Sequence, residues 1–218
     1  MLIDALVYPL DRCEDVKAFW AKLDAGADAT MGLASSARPF FTAARFARTP
    51  QPTLVVVAGE EAANDFARNV GAYIGDDKVL RFFERTDYPF TAAAPDAHAA
   101  ACRMEALHAL ASGRECVVVA SARSLVRMLP PADAKAYLPL DFAAGREVGD
   151  SARADLTDFD SIARALQNAG YENTGELEGP GTFCVRGGAV DVYPGNLSYP
   201  VRIDCFGDEV DEIRRIVP

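Results

Sequence analysis

Two periods of hydrophobic residues run along this chain, and the period changes between its first and second parts. In "EDVKAFWAKLDAG" (14–26), Val16, Phe19, Trp20 and Leu23 share one helical face, and Gly26 marks the stop. "TLVVVAG" (53–59) is a short unbroken run of mostly β-branched residues, as in a strand buried on both faces. "EEAANDFARNVGAYI" (60–74) returns to helical spacing with Phe66, Val70, Tyr73 and Ile74. A strand is predicted over "KVLRFF" (78–83) and a helix over 95–113, opened by Pro95 and closed by Gly113. A second buried strand is predicted over "ECVVVAS" (115–121). Alternating strands and helices imply a parallel sheet covered by helices, with 54–58 and 116–120 covered on both faces.

The stretch "MLPPADAKAYLPLDFAAG" (128–145) interrupts this alternation and is read as the boundary region. Beyond it, "TDFDSIARALQNAGY" predicts a helix capped by Asp158 or Asp160, with Phe159, Ile162 and Leu166 as its apolar stripe and Gly170 as its stop. The period then becomes two. "GTFCVRGG", "AVDVYPG" and "VRIDCFGDEV" read as strands separated by Gly-Gly, Pro-Gly and Gly-Asp turns. The expected architecture is α/β: a parallel α/β domain over 1–140, then a small α+β domain with antiparallel strands over 141–218.

Composition narrows the functional classes. Half of the 218 residues are apolar, as in a globular chain, and the net charge of −10 opposes non-specific binding to nucleic acid. Arg45, Arg48, Arg68 and Arg127 are candidates for a local basic patch, although an ordinary solvated face accounts for them better. The five cysteines (13, 102, 116, 184, 205) contain no C-x-x-C pair and read as free thiols of a reducing cytosol. His98 and His108 are read as helix-surface residues without a cysteine partner, and no metal site is expected. With no signal-like start and no long apolar run, a soluble cytoplasmic protein is expected.

One loop has the outline of a nucleotide site. "MGLASSARPFF" (31–41) places Gly32 and Ala37-Arg38-Pro39 where a phosphate loop has G-x-x-x-x-G-K-[ST]. Ala37 adds a Cβ where the loop needs a glycine, and the fork of Arg38 does not replace a compact ammonium. Pro39 has neither a hydroxyl for magnesium nor an N–H for phosphate, but it suits the first turn of a helix. The expectation is loop-to-helix geometry without ATP, and no cofactor. The acids of "GDEVDEI" are read as a hairpin turn at Gly207-Asp208 and an exposed strand side, paired with Arg214 or Arg215, not as an acid–base site.

The last stretch carries a resemblance. "GTFCVRGGAVDVYPGNLSYPVRIDCFGDEVDEIRRI" (181–216) is similar to the signature shared by UvrB and the transcription-repair coupling factors. That signature runs G-x-F-x-V-R-G, then D-x-[FY]-P, then R-[IL]-[DE]-F-F-G-D-E-[IV], with Cys205 replacing one phenylalanine here. "LVVVAG", "CVVVASARSL" and "LQNAGY" agree in order, so the resemblance covers essentially the whole chain. UvrB keeps an intact phosphate loop and carries a long tyrosine-rich hairpin. Here the loop is degenerate, and only "ERTDYPFTAAA" lies between the second strand and the helix at 95. The UvrB-like N-terminal region of the coupling-factor (Mfd) family is the better match. The alternative is a fragment of a UvrB-like ATP-dependent damage-verifying helicase.

The resemblance implies a degenerate phosphate-loop (RecA-like) domain and a UvrB-like second domain, truncated at its C-terminal end, that recruits UvrA without catalysis. RNA polymerase and DNA would be contacted by other parts of a longer protein, whose translocase motor lies outside this chain. It further implies that Arg186, Arg202 and Phe206 contact UvrA. Strand alternation is compatible: in "VRIDCF", Val201, Ile203 and Cys205 face one way and Arg202, Asp204 and Phe206 the other. An aromatic on the polar face either covers a neighbouring element or anchors a partner. Arg202→Glu or Phe206→Ala is expected to weaken UvrA binding with folding intact; on the plainer account Phe206→Ala instead lowers the melting temperature and Arg202→Glu only breaks a surface pair with Asp204 or Asp191.

Overall fold

The structure is a computed structural model, and it describes residues 8, 10–85, 96–129, 131 and 137–217. The chain separates into two compact units, Met1–Phe82 with Gly113–Val126, and Phe83–Ser112 with Arg127–Pro218. The first contains helices α1 (Glu14–Asp24), α2 (Arg38–Arg48) and α3 (Glu60–Ile74) and strands β1 (Thr53–Val57), β2 (Val79–Phe82) and β3 (Val117–Ser121). The second contains α4 (Ala97–Ala111), α5 (Phe159–Asn168) and strands β4 (Glu172–Asn173), β5 (Thr182–Arg186), β6 (Ala189–Val192), β7 (Val201–Phe206) and β8 (Glu209–Arg215). The helix 97–111, which sequence order puts in the first part of the chain, thus groups with the second unit. The expected start of that helix at Pro95, most of the short connection before it, and residues 132–136 of the boundary stretch lie outside the described residues.

In the first unit β1 and β2 both run parallel to the central β3, with Val55 opposite Val119 and Arg81 also opposite Val119. Helices α2 and α3 cover one side. Ala43, Phe46, Ala63, Ala67, Val70 and Ile74 pack there with Val117 and Val119 of the sheet. Arg81 fixes α3 to the sheet, donating to the carbonyl of Val119 at 2.6 Å and to Glu60 Oε2 at 2.7 Å. In α1 the predicted face is real: Val16 and Trp20 are buried, and Trp20 stacks on Phe41 of α2. The fold class expected from the sequence is the one observed, a parallel α/β layer followed by a small sheet with helices.

One expectation about cover fails. β3 is buried along its whole length, but β1 lies at the sheet's edge, and Leu54 and Val56 remain 47% and 49% exposed. An apolar run records that a strand avoids water on average. It does not record whether the strand is central or peripheral, and only Val55 and Val57 of β1 join the helix-covered core.

The second unit is built round a five-stranded sheet of order β4-β5-β6-β7-β8. β5 to β8 are antiparallel neighbours, whereas β4 pairs parallel with β5, so the sheet is mixed. Asp158 caps α5 in a reciprocal box: its carboxylate accepts from Ser161 N at 2.8 Å, and Ser161 Oγ accepts from Asp158 N at 3.2 Å. Ile162, Ala165 and Leu166 of α5 then press on Phe183, Val190, Val192, Ile203 and Val210, leaving the other face of the sheet without that helix. Two glycines are dictated by geometry. Gly207 turns the β7–β8 hairpin at φ +63°, and a Cβ on Gly195 would sit 2.6 Å from the carbonyl oxygen of Ala97 on α4.

Phe183 has no exposed surface, so Phe183→Ala is expected to cost about 3–5 kcal/mol in the unfolding of the second unit. Leu54→Ala, on the half-exposed edge, is expected to cost roughly 1 kcal/mol or less. Urea unfolding of both variants checks this, and the opposite ranking would contradict the assignment of core and edge.

Candidate protein-interaction face

The face of the second sheet turned away from α5 is set by register. β6 pairs with β7 so that Asp191 lies opposite Arg202 and Ala189 opposite Asp204. β5 pairs with β6 so that Cys184 meets Asp191 and Arg186 meets Ala189. Directly opposed residues share a face, which therefore carries Cys184 and Arg186, Ala189 and Asp191, and Arg202, Asp204 and Phe206. Val201, Ile203 and Cys205 turn to the core side, as alternation predicts. A register irregularity at Asp204/Cys205 leaves that alternation intact along β7.

The chemistry of the face centres on a buried acid. Arg202 donates through Nε to Asp191 Oδ1 at 2.5 Å and through Nη2 to Oδ2 at 2.7 Å, a two-pronged pair. Arg186 approaches the same carboxylate, with Nε 3.9 Å from Oδ2, while its Nη2 donates to the carbonyl of Gly175 at 3.2 Å. Side-chain exposure rises outward, from 6% for Asp191 through 31% for Arg202 to 53% for Arg186. The hydrogen bonds from Arg202 hold the Asp191 carboxyl below the usual carboxylate range against the opposing effect of burial, and Arg186 adds to the lowering. The same pairing raises the Arg202 guanidinium above its ordinary value. Next to them Arg214 pairs with Asp204 at 3.1 Å and with Glu212 at 3.8 Å. Burial pushes the Cys205 thiol up, with Asp204 and Asp208 contributing, and its side chain packs against the core of the unit.

Phe206 stands at the end of β7 and is 85% exposed. Among the described residues it is not packed under a neighbouring element, which disfavours the covering role for an aromatic on a polar face. The three residues marked by the resemblance, Arg186, Arg202 and Phe206, are thus brought to one face. Asp191, named from the sequence only as one of two possible partners of Arg202, is the acid that the arginine meets. Its signal was available: a lone acid inside the apolar run "AVDV", two residues before a turn. Arg202 is not the loosely paired surface residue that would allow Arg202→Glu to spare folding, because a glutamate there would oppose a buried carboxylate. Asp208, expected only as a turn residue, also accepts from Phe159 N at 3.0 Å and so ties the β7–β8 hairpin to the start of α5.

The other candidates are more dispersed. Gly32 and Arg38 are exposed, Ala37 is half-buried, and Pro39 is buried in the first turn of α2. Residues 27–34 form no strand, so the loop enters a helix without the strand that normally precedes a phosphate loop. An open cleft of about 780 Å³ adjoins it, lined mainly by Pro39, Val55, Val57, Ala58 and Phe66, with Arg38 as its cation. Arg45 and Arg48 lie against the ring of Trp20, Arg45 pairs with Asp24 at 2.6 Å, and Arg68 pairs with Asp65 on its own helix. These arginines have intramolecular partners and do not present as one patch. His98 is not a plain surface residue: its Nδ1 lies 2.8 Å from the carbonyl oxygen of Gly195, and Cys102 Sγ, one helical turn on, is 3.7 Å from Nε2. Among the described residues no group of three or more His, Cys, Asp or Glu is arranged to hold a metal, and no helix is long and apolar enough to cross a membrane.

Comparison with known proteins agrees with this geometry. The family description "UvrB interaction domain" matches residues 152–218, the segment containing α5 and the whole second sheet. The transcription-repair-coupling factor of Myxococcus xanthus is 33% identical over 196 residues, covering 87% of this chain and 16% of that protein. The coupling factor of Bacillus subtilis is 30% identical over 185 residues, covering 84% of this chain and 15% of that protein. The UvrABC system protein B of Thermotoga petrophila is 26% identical over 203 residues, covering 85% of this chain and 28% of that protein. The chain therefore spans about 15% of the length of the coupling factors it matches. With the signature, the two-unit α/β fold and these identities in agreement, this chain belongs to the UvrB-like region of the transcription-repair coupling factor family.

Proposed function

We propose that this chain is a non-catalytic docking module that recruits UvrA in transcription-coupled nucleotide excision repair. The observation that carries the reading is the convergence of Arg186, Arg202 and the exposed Phe206 on the sheet face turned away from α5. An exposed aromatic on the same sheet face as two guanidinium groups has the composition of an interface anchor. The family description printed for residues 152–218 names an interaction domain, which supports the same reading. Recognition of RNA polymerase and DNA translocation belong, in this proposal, to other parts of a longer protein.

Nucleotide has no part in this module. Ala37, Arg38 and Pro39 replace the glycine, lysine and hydroxyl that phosphate and magnesium require. Titration with ATP and magnesium is expected to leave the melting temperature unchanged. Occupancy at a hundredfold excess over Kd would instead stabilise by about 2.7 kcal/mol, and such a shift would revive the UvrB-like ATPase reading.

The docking face is tested by calorimetric titration of this chain with UvrA, with and without ATP. Phe206→Ala is expected to lower affinity by about 2 kcal/mol, roughly thirtyfold, with no change in melting temperature because the side chain is 85% exposed. Arg202→Ala is expected to lower both affinity and melting temperature, since it strands Asp191. Full affinity in a folded Phe206→Ala variant would remove this face from the interface.

A further inference from the structure

Among the described residues Asp191 is the carboxylate that meets both arginines of the docking face. Two guanidinium groups that reach one carboxylate from β5 and β7, the strands on either side of β6, repel, and each long side chain loses rotamer freedom when a partner fixes it. A carboxylate set beneath and between them offsets the repulsion and settles their orientation before a partner arrives. The exposure gradient makes this arrangement directional. Asp191 is 6% exposed and lies behind the guanidinium groups, so a group approaching from solvent meets the arginines first. Arg202 spends its Nε and one Nη2 proton on Asp191, which leaves its Nη1 edge uncommitted to that pair. Arg186 is held from two sides, by Asp191 and by the carbonyl of Gly175. Arg186, Arg202 and Asp191 together carry +1, and Asp204 on the same face is paired with Arg214.

We infer that Asp191 is a positioning residue that holds Arg186 and Arg202 side by side, so that the face selects a partner surface with carboxylates beside an apolar recess for Phe206. This rests on the reading of the face as the UvrA contact. The acid acts through the arginines and does not itself touch the partner. Removing its charge while keeping its shape should therefore disable Arg186 as well as Arg202.

The experiment is a binding cycle on the 218-residue chain with UvrA as the probe, at a temperature where circular dichroism shows every variant folded. Arg186→Ala is expected to reduce affinity at least about tenfold in the wild-type background but less than about threefold in Asp191→Asn, the non-additivity of groups acting as a unit. A purely structural Asp191 would leave the Arg186→Ala effect the same size in both backgrounds, and that result overturns the inference. A second measurement needs neither the variant nor the partner. The Nε–H signals of Arg186 and Arg202 in the wild-type NMR spectrum should be resolved and slowly exchanging, and averaged signals like those of solvated arginines also overturn it. A wild-type chain with ordered arginines that fails to bind UvrA would overturn the functional reading instead.

Discussion

The second unit depends on a single charged pair inside a sheet. Asp191 sits on β6 with its carboxylate almost wholly out of water, which is tolerable only because Arg202 on β7 meets both oxygens. The pair fixes the register of the two central strands, since a slip by one residue would bring Arg202 to the core side and Ile203 to the solvent side. Breaking a buried pair by removing one partner costs about 3–5 kcal/mol, and Arg202, with nearly a third of its side chain exposed, belongs at the lower end. Stability and recognition therefore share an atom-level contact. The arginine that presents a donor edge outward is held by the same fork that anchors β6 to β7.

From that constraint the sheet acquires two faces with different duties. One takes α5 through Ile162, Ala165 and Leu166 and is filled by Phe183 and Val190. The other is turned away from α5 and combines charge with a projecting phenylalanine. The hairpin that carries Phe206 is stiffened twice, by Gly207 in a left-handed conformation and by the bond from Phe159 N to Asp208. A rigid hairpin lowers the entropy lost when an exposed aromatic is buried by a partner. The first unit contributes a different lesson. Its loop at 32–39 keeps the entry into a helix, with Ala37, Arg38 and Pro39 where a phosphate loop has glycine, lysine and a hydroxyl residue.

Much of this was legible in the residues because the relevant signals are local. Period-two alternation in "VRIDCF" assigns faces without any knowledge of neighbours, and "TDFDS" followed by spaced apolar residues announces a capped helix. What could not be read depends on partners distant in the chain. The exposed side of β1 escaped because Leu54 and Val56 look the same in a central strand and in an edge strand. The grouping of α4 with the second unit escaped because an Ala-rich helix shows no strongly preferred apolar face, and its packing is decided by the bare backbone at Gly195. The choice between Asp204 and Asp191 as the partner of Arg202 stayed open because a strand shows only its acids, while the register shows which of them lies opposite the arginine.

The central claim, that the face of the second sheet turned away from α5 is where UvrA docks, is tested most directly by hydroxyl-radical footprinting of the chain alone and with saturating UvrA. Phe206, 85% exposed, reports the proposed face, and Met128, 99% exposed, is the control. The account predicts a severalfold fall in Phe206 oxidation on adding UvrA while Met128 reacts as before. Phe206 remaining as reactive as in the free chain, with protection appearing instead around Leu54 and Val56 or at the 32–39 loop, would contradict it.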